Sequence, residues 1–132
     1  NIPMMAHDRL YLMSLKEHNH QEQLYASVLM ARMGEFYLSL YNEKLETIVQ
    51  PTHVFEPDLP KVLENKNNLH ITTDADKDTF VKLKVNFLSF SSNIMLNYHT
   101  WASYAFIQFE LQQFCNIGVI SPLYIKDVFI HK

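Results

Sequence analysis

Only two glycines, Gly34 and Gly118, stand in this chain of 132 residues, where an ordinary usage of ~7% would supply about nine. Glycine reaches positive φ without steric cost, so tight β-turns, phosphate-cradling loops and dinucleotide-binding turns all draw on it. Its scarcity argues against a sheet-rich fold with tight hairpins, against a P-loop and against a Rossmann fingerprint. A helical fold is the reading left standing. Apolar residues make up 48% and charged residues 19%, a globular composition, and the length suits one domain over residues 1–132.

The apolar spacing is read the same way. Asn1-Ile2-Pro3 has the form of a helix start, and no further proline appears before Pro51. Leu10, Met13, Leu24, Val28, Ala31, Leu38, Leu45 and Val49 recur at helical intervals. Pro51, Pro57 and Pro60 close this segment. Asp58-Leu59-Pro60 then opens a short connector helix. Thr72-Thr73-Asp74 resembles a helix N-terminus, and Phe80, Leu83, Phe87, Ile94, Tyr98, Trp101, Ala105 and Phe109 follow it at helical spacing up to Gly118.

The expected fold is therefore all-α, an antiparallel hairpin of two long helices (3–49 and 74–117). A connector (50–73) joins them, a short C-terminal helix (121–130) packs back, and dimerisation completes a bundle. More than half of the residues should then be helical, with no sheet of three or more strands. One rival pattern exists. Val81 to Phe87 alternates with period 2, and Leu69 to Thr72 could pair with it as a β-hairpin.

Charge narrows the function classes. The net charge is −3 and no segment is strongly basic, so nucleic acid is not an expected partner. Residues 85–125 hold one formal charge, Glu110, yet the polar load around it (Asn97, His99, Thr100, Ser103, Gln108) is too high for a lipid-facing helix. No transmembrane segment is expected, although a removed anchor is compatible with a chain that starts at Asn1. A single cysteine, Cys115, and no signal peptide point to the cytoplasm.

Candidate chemistry is sparse. His18 and Glu22 lie one helical turn apart, and His99 and Glu110 would share a stripe on the second helix. The Glu-x-x-His pattern of metal-binding bundles is absent, so no metal, no cofactor and no catalytic set is expected. Glu110, His99, His18, Glu22 and Arg32 are the buried polar candidates, with His18 or Arg32 as the expected partner of Glu110. Seventeen aromatic residues (nine Phe, seven Tyr, one Trp) are more than one helical seam can cover. Phe87, Tyr98, Trp101, Tyr104 and Phe109 are thus the interface candidates of a homodimer or of another protein partner. The expected function is a non-enzymatic helical module acting through protein contacts. The alternative is a ligand- or metal-binding helical bundle around the buried His and Glu residues, with possible catalysis.

Overall fold

A computed structural model of the chain describes residues 5–19 and 21–115, and it is an α/β structure built on one five-stranded sheet. In chain order the elements are α1 (Arg9–Glu17), β1 (Leu24–Arg32), β2 (Glu35–Tyr41), β3 (Thr47–Phe55), a 3₁₀ turn (Glu56–Asp58), α2 (Leu59–Val62), β4 (Leu69–Thr73), α3 (Lys77–Lys82), β5 (Ser89–Ser91) and α4 (Tyr98–Glu110). The sheet order is β3-β2-β1-β4-β5. The first three strands form an antiparallel meander, and β4 and β5 join parallel to β1. Parallel strands need a crossover, and α3 supplies it between β4 and β5.

Strand alternation divides the sheet into two unlike faces. Ala26, Val28, Phe36, Leu38, Leu40, Leu69 and Ile71 pack with Leu59 and Leu63 (the latter just past α2) and with Phe80 of α3 in one apolar core. Residues of opposite parity point to α1. They are Tyr25, Ser27, Ser39, Tyr41, His70 and Thr72, all buried. Ser27 of β1 sits 2.7 Å from Ser14 of α1 and donates to the Leu10 carbonyl at 2.6 Å, which seats α1 on this second face. The Asp8 side chain caps α1 by accepting from the Leu10 N–H at 2.8 Å.

This architecture overturns the all-α hairpin. The stretch expected as helix 3–49 holds one short helix, two full strands and the start of a third. The cause is burial on both faces. Leu24-Tyr25-Ala26-Ser27-Val28-Leu29 is buried or half-buried at every position, and so nearly continuous a run fits a 3.6 period as easily as a period of 2. The stretch expected as helix 74–117 breaks into α3, β5 and α4. The rival hairpin does not form either. Leu69–Thr73 is a strand, but it pairs with β1 and β5, and 77–82 is helical. The expected C-terminal helix at 121–130 lies outside the described residues.

Scarce glycine does not prevent the hairpins, because other residues take the turns. Gly34 (φ 78°) makes the β1–β2 hairpin, but Leu45, Asn65 and Lys84 also sit at φ near 60°. The β2–β3 turn is organised by Asn42, whose Oδ1 accepts from the N–H groups of Lys44 and Glu46, both at 2.9 Å. Such side-chain-to-backbone bonds do locally what glycine does by lacking a Cβ.

Candidate functional site

The polar face concentrates its chemistry where the last turn of α1 meets the starts of β4 and β5. The parallel register puts His70 beside Ser89. Their side chains meet at 2.6 Å, His70 Nδ1 to Ser89 Oγ. The other ring nitrogen, Nε2, is buried without a hydrogen bond and faces the Glu17 carboxylate at 3.6 Å. That separation makes the contact Coulombic. It also suits the tautomer that carries its proton on Nε2 and accepts from the Ser89 hydroxyl through Nδ1.

Glu17 is held ionised. Its carboxyl falls from 4.5 to about 2, first through the contact with His70, against the opposing effect of burial, and then through Lys16 and Ser91. Lys16 Nζ reaches Glu17 Oε1 at 2.7 Å and also donates to the Asn93 carbonyl after β5. A second network adjoins. Tyr25 donates to Asn19 Oδ1 at 2.8 Å and accepts from the Gln23 amide at 3.1 Å. Its ring lies 5.9 Å from His70 and 5.4 Å from His18.

Chemically, the series Glu17, His70, Ser89 can draw a proton away from a serine hydroxyl. Its placement serves a different end. Both ring nitrogens point at protein groups, the ring is shut between Tyr25 and α1, and the three residues come from α1, β4 and β5. The cluster is a polar strut that pins the end of α1 across two parallel strands.

The second feature is α4. Thirteen residues long, it carries one charge and has no buried residue. Among the described elements, its main packing is against α1. Tyr104 lies 5.3 Å from the ring of Tyr11 and 5.2 Å from that of His7, and Trp101 lies 6.3 Å from His7. Partial burial raises the hydroxyl pKa values of both Tyr11 and Tyr104. Tyr98, Ala102, Ala105, Phe106 and Phe109 lie three or four residues apart along the neighbouring stripe. Tyr98 is 71% exposed, Phe106 64% and Phe109 46%. Met5 and His7 join this stripe at a shallow depression of about 460 Å³.

The residues singled out in the sequence are dispersed. Glu110 ends α4 in solvent, and His99 is exposed in its first turn. His18 follows α1, with its Nε2 at 2.7 Å from the Glu43 carbonyl. Glu22 is exposed before β1. Arg32, at the end of β1, pairs with the buried Glu35 at 2.7 Å, and His53 meets the other oxygen of Glu35 at 3.0 Å. Phe87 is half-buried, packing on Phe90 and the apolar core. Tyr98, Trp101, Tyr104 and Phe109 share α4. Among the described residues, no group of three or more His, Cys, Asp or Glu could hold a metal, and no helix is long and apolar enough to cross a membrane. Sequence reasoning passed over Glu17, His70 and Ser89 because parallel pairing of β4 and β5, and not sequence spacing, brings them together.

No protein-family model matches the chain, and no curated protein matches it. Solved structures do. One is described as an uncharacterized protein from Pseudomonas aeruginosa with similarity to peptidase YeaZ. It superposes with a TM-score of 0.71 at 13% identity, over 94% of this chain and 59% of that one. YeaZ from Pseudomonas aeruginosa superposes with a TM-score of 0.65 at 14% identity, over 92% of this chain and 60% of that one. At these identities the likeness is one of fold. It replaces the helical interaction module, and the helical metal- or ligand-binding bundle, with a YeaZ-like α/β fold, and the chain spans about 60% of the length of these structures.

Proposed function

We propose that this chain is an α/β lobe of a YeaZ-like protein, and that its work is to build an assembly by seating α4 on a second α/β lobe, which a second copy of the chain can supply. The observation behind this reading is that α4, rich in apolar and aromatic side chains, has no buried residue. Apolar patches of a few hundred Å² on a lone domain often mark an interaction site. On the stripe, Tyr98 is 71% exposed, Phe106 64% and Phe109 46%. These three rings alone offer roughly 350 Å² if a large side chain presents about 200 Å², and Ala102, Ala105 and Met5 extend the patch toward the ~800 Å² per partner of a standard interface.

The stripe is also self-complementary. Ala102 and Ala105 at its centre let a second helix approach closely. In an antiparallel two-fold pairing the lone charge of each helix, Glu110, lies at the opposite end from its mate, about 20 Å away, which is beyond the screening length.

The test is sedimentation velocity from about 1 to about 100 micromolar, the range of weak dimers. A dimer is expected, and Ala102→Arg or Phe106→Glu should return it to a monomer that stays folded by circular dichroism and whose melting temperature no longer depends on concentration. A wild-type monomer across that range contradicts self-seating of α4.

A second reading, hydrolysis at Ser89, is favoured by its 2.6 Å contact with His70 and by the word peptidase in the description of one neighbour. Labelling of Ser89 by a fluorophosphonate, lost in Ser89→Ala, would establish it. Absence of labelling would leave Glu17, His70 and Ser89 with the structural role alone.

A further inference from the structure

On the apolar side of the sheet, away from both the strut and α4, the connections leading into β4 and β5 enclose a depression of about 390 Å³. That volume falls within the usual range of small-ligand sites. Leu63 and Val85, both nearly buried, give it apolar walls. Lys61, Lys66 and Lys84 stand around it with Glu64, and with Asp58 counted beside Lys61 a chain of net charge −3 still carries a local excess of +1 here (three lysines minus two acids). Lys61 pairs with Asp58 at 3.0 Å in solvent, a weak pair. Lys66 and Lys84 make no ion pair among the described residues. Asn65, Asn67 and Asn86 also line the depression.

Lys84 is the telling residue. It follows α3 at φ 58°, where its own N–H donates to the Val81 carbonyl and that of Val85 reaches back to the Phe80 carbonyl. This is the helix-ending position at which glycine is favoured. A lysine there is strained backbone, and the helix end gains no conformational advantage from it over glycine. What lysine adds is a cation on the depression.

We propose that this depression binds a sugar phosphate, with Lys66 and Lys84 on the phosphate and the asparagine amides on the hydroxyls. Each amide both donates and accepts, which matches a hydroxyl, and unpaired ammonium groups match a phosphate dianion.

Calorimetric titration of the full chain with glucose 6-phosphate, glucose and inorganic phosphate at low salt tests this, beside the variants Lys84→Gly, Lys66→Gln and Lys82→Gln. Glucose 6-phosphate should bind at least tenfold tighter than either fragment. Lys84→Gly should raise Tm by about 2–4 °C through relief of the backbone and still weaken binding at least tenfold. Lys66→Gln should weaken it comparably, and Lys82→Gln, outside the depression, should leave it within twofold. Phosphate binding as tightly as glucose 6-phosphate, or a Lys84→Gly variant that is stabilised and binds unchanged, overturns the proposal.

Discussion

The two faces of the sheet are held by different physics. Under α2 and α3 the contact is made by Leu, Ile, Val and Phe, many with no solvent exposure, such as Leu38, Ile71 and Phe80. Under α1 the buried sheet residues include Tyr25, Ser27, Ser39, His70 and Thr72. The first face is stabilised by area removed from water, a non-directional effect that tolerates substitution of equal volume. The second depends on directed bonds. Each buried hydroxyl or ring nitrogen needs a partner, and losing one strands the other. The apolar face therefore supplies most of the stability, and the polar face fixes where the end of α1 lies, with Tyr11 of α1 and His7 just before it making the ring contacts that carry α4.

The sharpest way to break this comparison is to empty a site on the apolar face. Phe80→Ala should cost about 3–5 kcal/mol, read as a lower urea midpoint with an unchanged slope. On the polar face, Ser27→Ala removes the bond to the Leu10 carbonyl and the contact with Ser14. It should cost about 1–2 kcal/mol, with its main effect on the amide protection of α1. A loss as large as that of Phe80→Ala would erase the distinction between the faces.

The third expected effect is a pH dependence. The Glu17 carboxyl is near 2 when folded and 4.5 otherwise. Its contribution is complete above about pH 4.5 and disappears as pH falls toward 2, because the unfolded chain then binds the proton more readily. Glu17 is partly exposed, which leaves about 1 kcal/mol after screening. Glu17→Gln should flatten the stability profile between pH 5 and pH 2 by that amount. Equal slopes in the two proteins would show that the His70–Glu17 contact contributes nothing. Smallest of all, Phe106→Glu on exposed α4 should change the stability of the isolated fold by no more than about 0.5 kcal/mol.

Part of the local chemistry is legible in the sequence: Asp58-Leu59-Pro60, read as a helix start, stands where the 3₁₀ turn passes into α2. The caps Asp8 and Asn97 were passed over, because both fall inside the stretches read as long helices. The sheet was hidden for two physical reasons. Strands covered on both faces lose their alternation, as β1 and β2 do. Turns built by Asn42, Leu45 and Asn65 carry little of the glycine signal on which a hairpin reading relies. The strut was hidden for a third. Glu17, His70 and Ser89 are separated by 53 and 19 positions, and only the parallel pairing of β4 with β5, beneath α1, makes them neighbours. The aromatic excess was visible from composition alone, but α4 carries only five of the seventeen rings, and Tyr25, Phe36, Tyr41 and Phe80 are spent inside the fold.

The assembly role rests on whether α4 is covered when copies of the chain meet. Hydrogen exchange of the wild-type chain, followed at about 1 and about 100 micromolar, reads this element by element. The account predicts that α4 amides exchange at least tenfold more slowly at the higher concentration, while those of β1 and β4 are unchanged, and that Ala102→Arg removes the concentration dependence. Exchange of α4 that is fast and identical at both concentrations would contradict it.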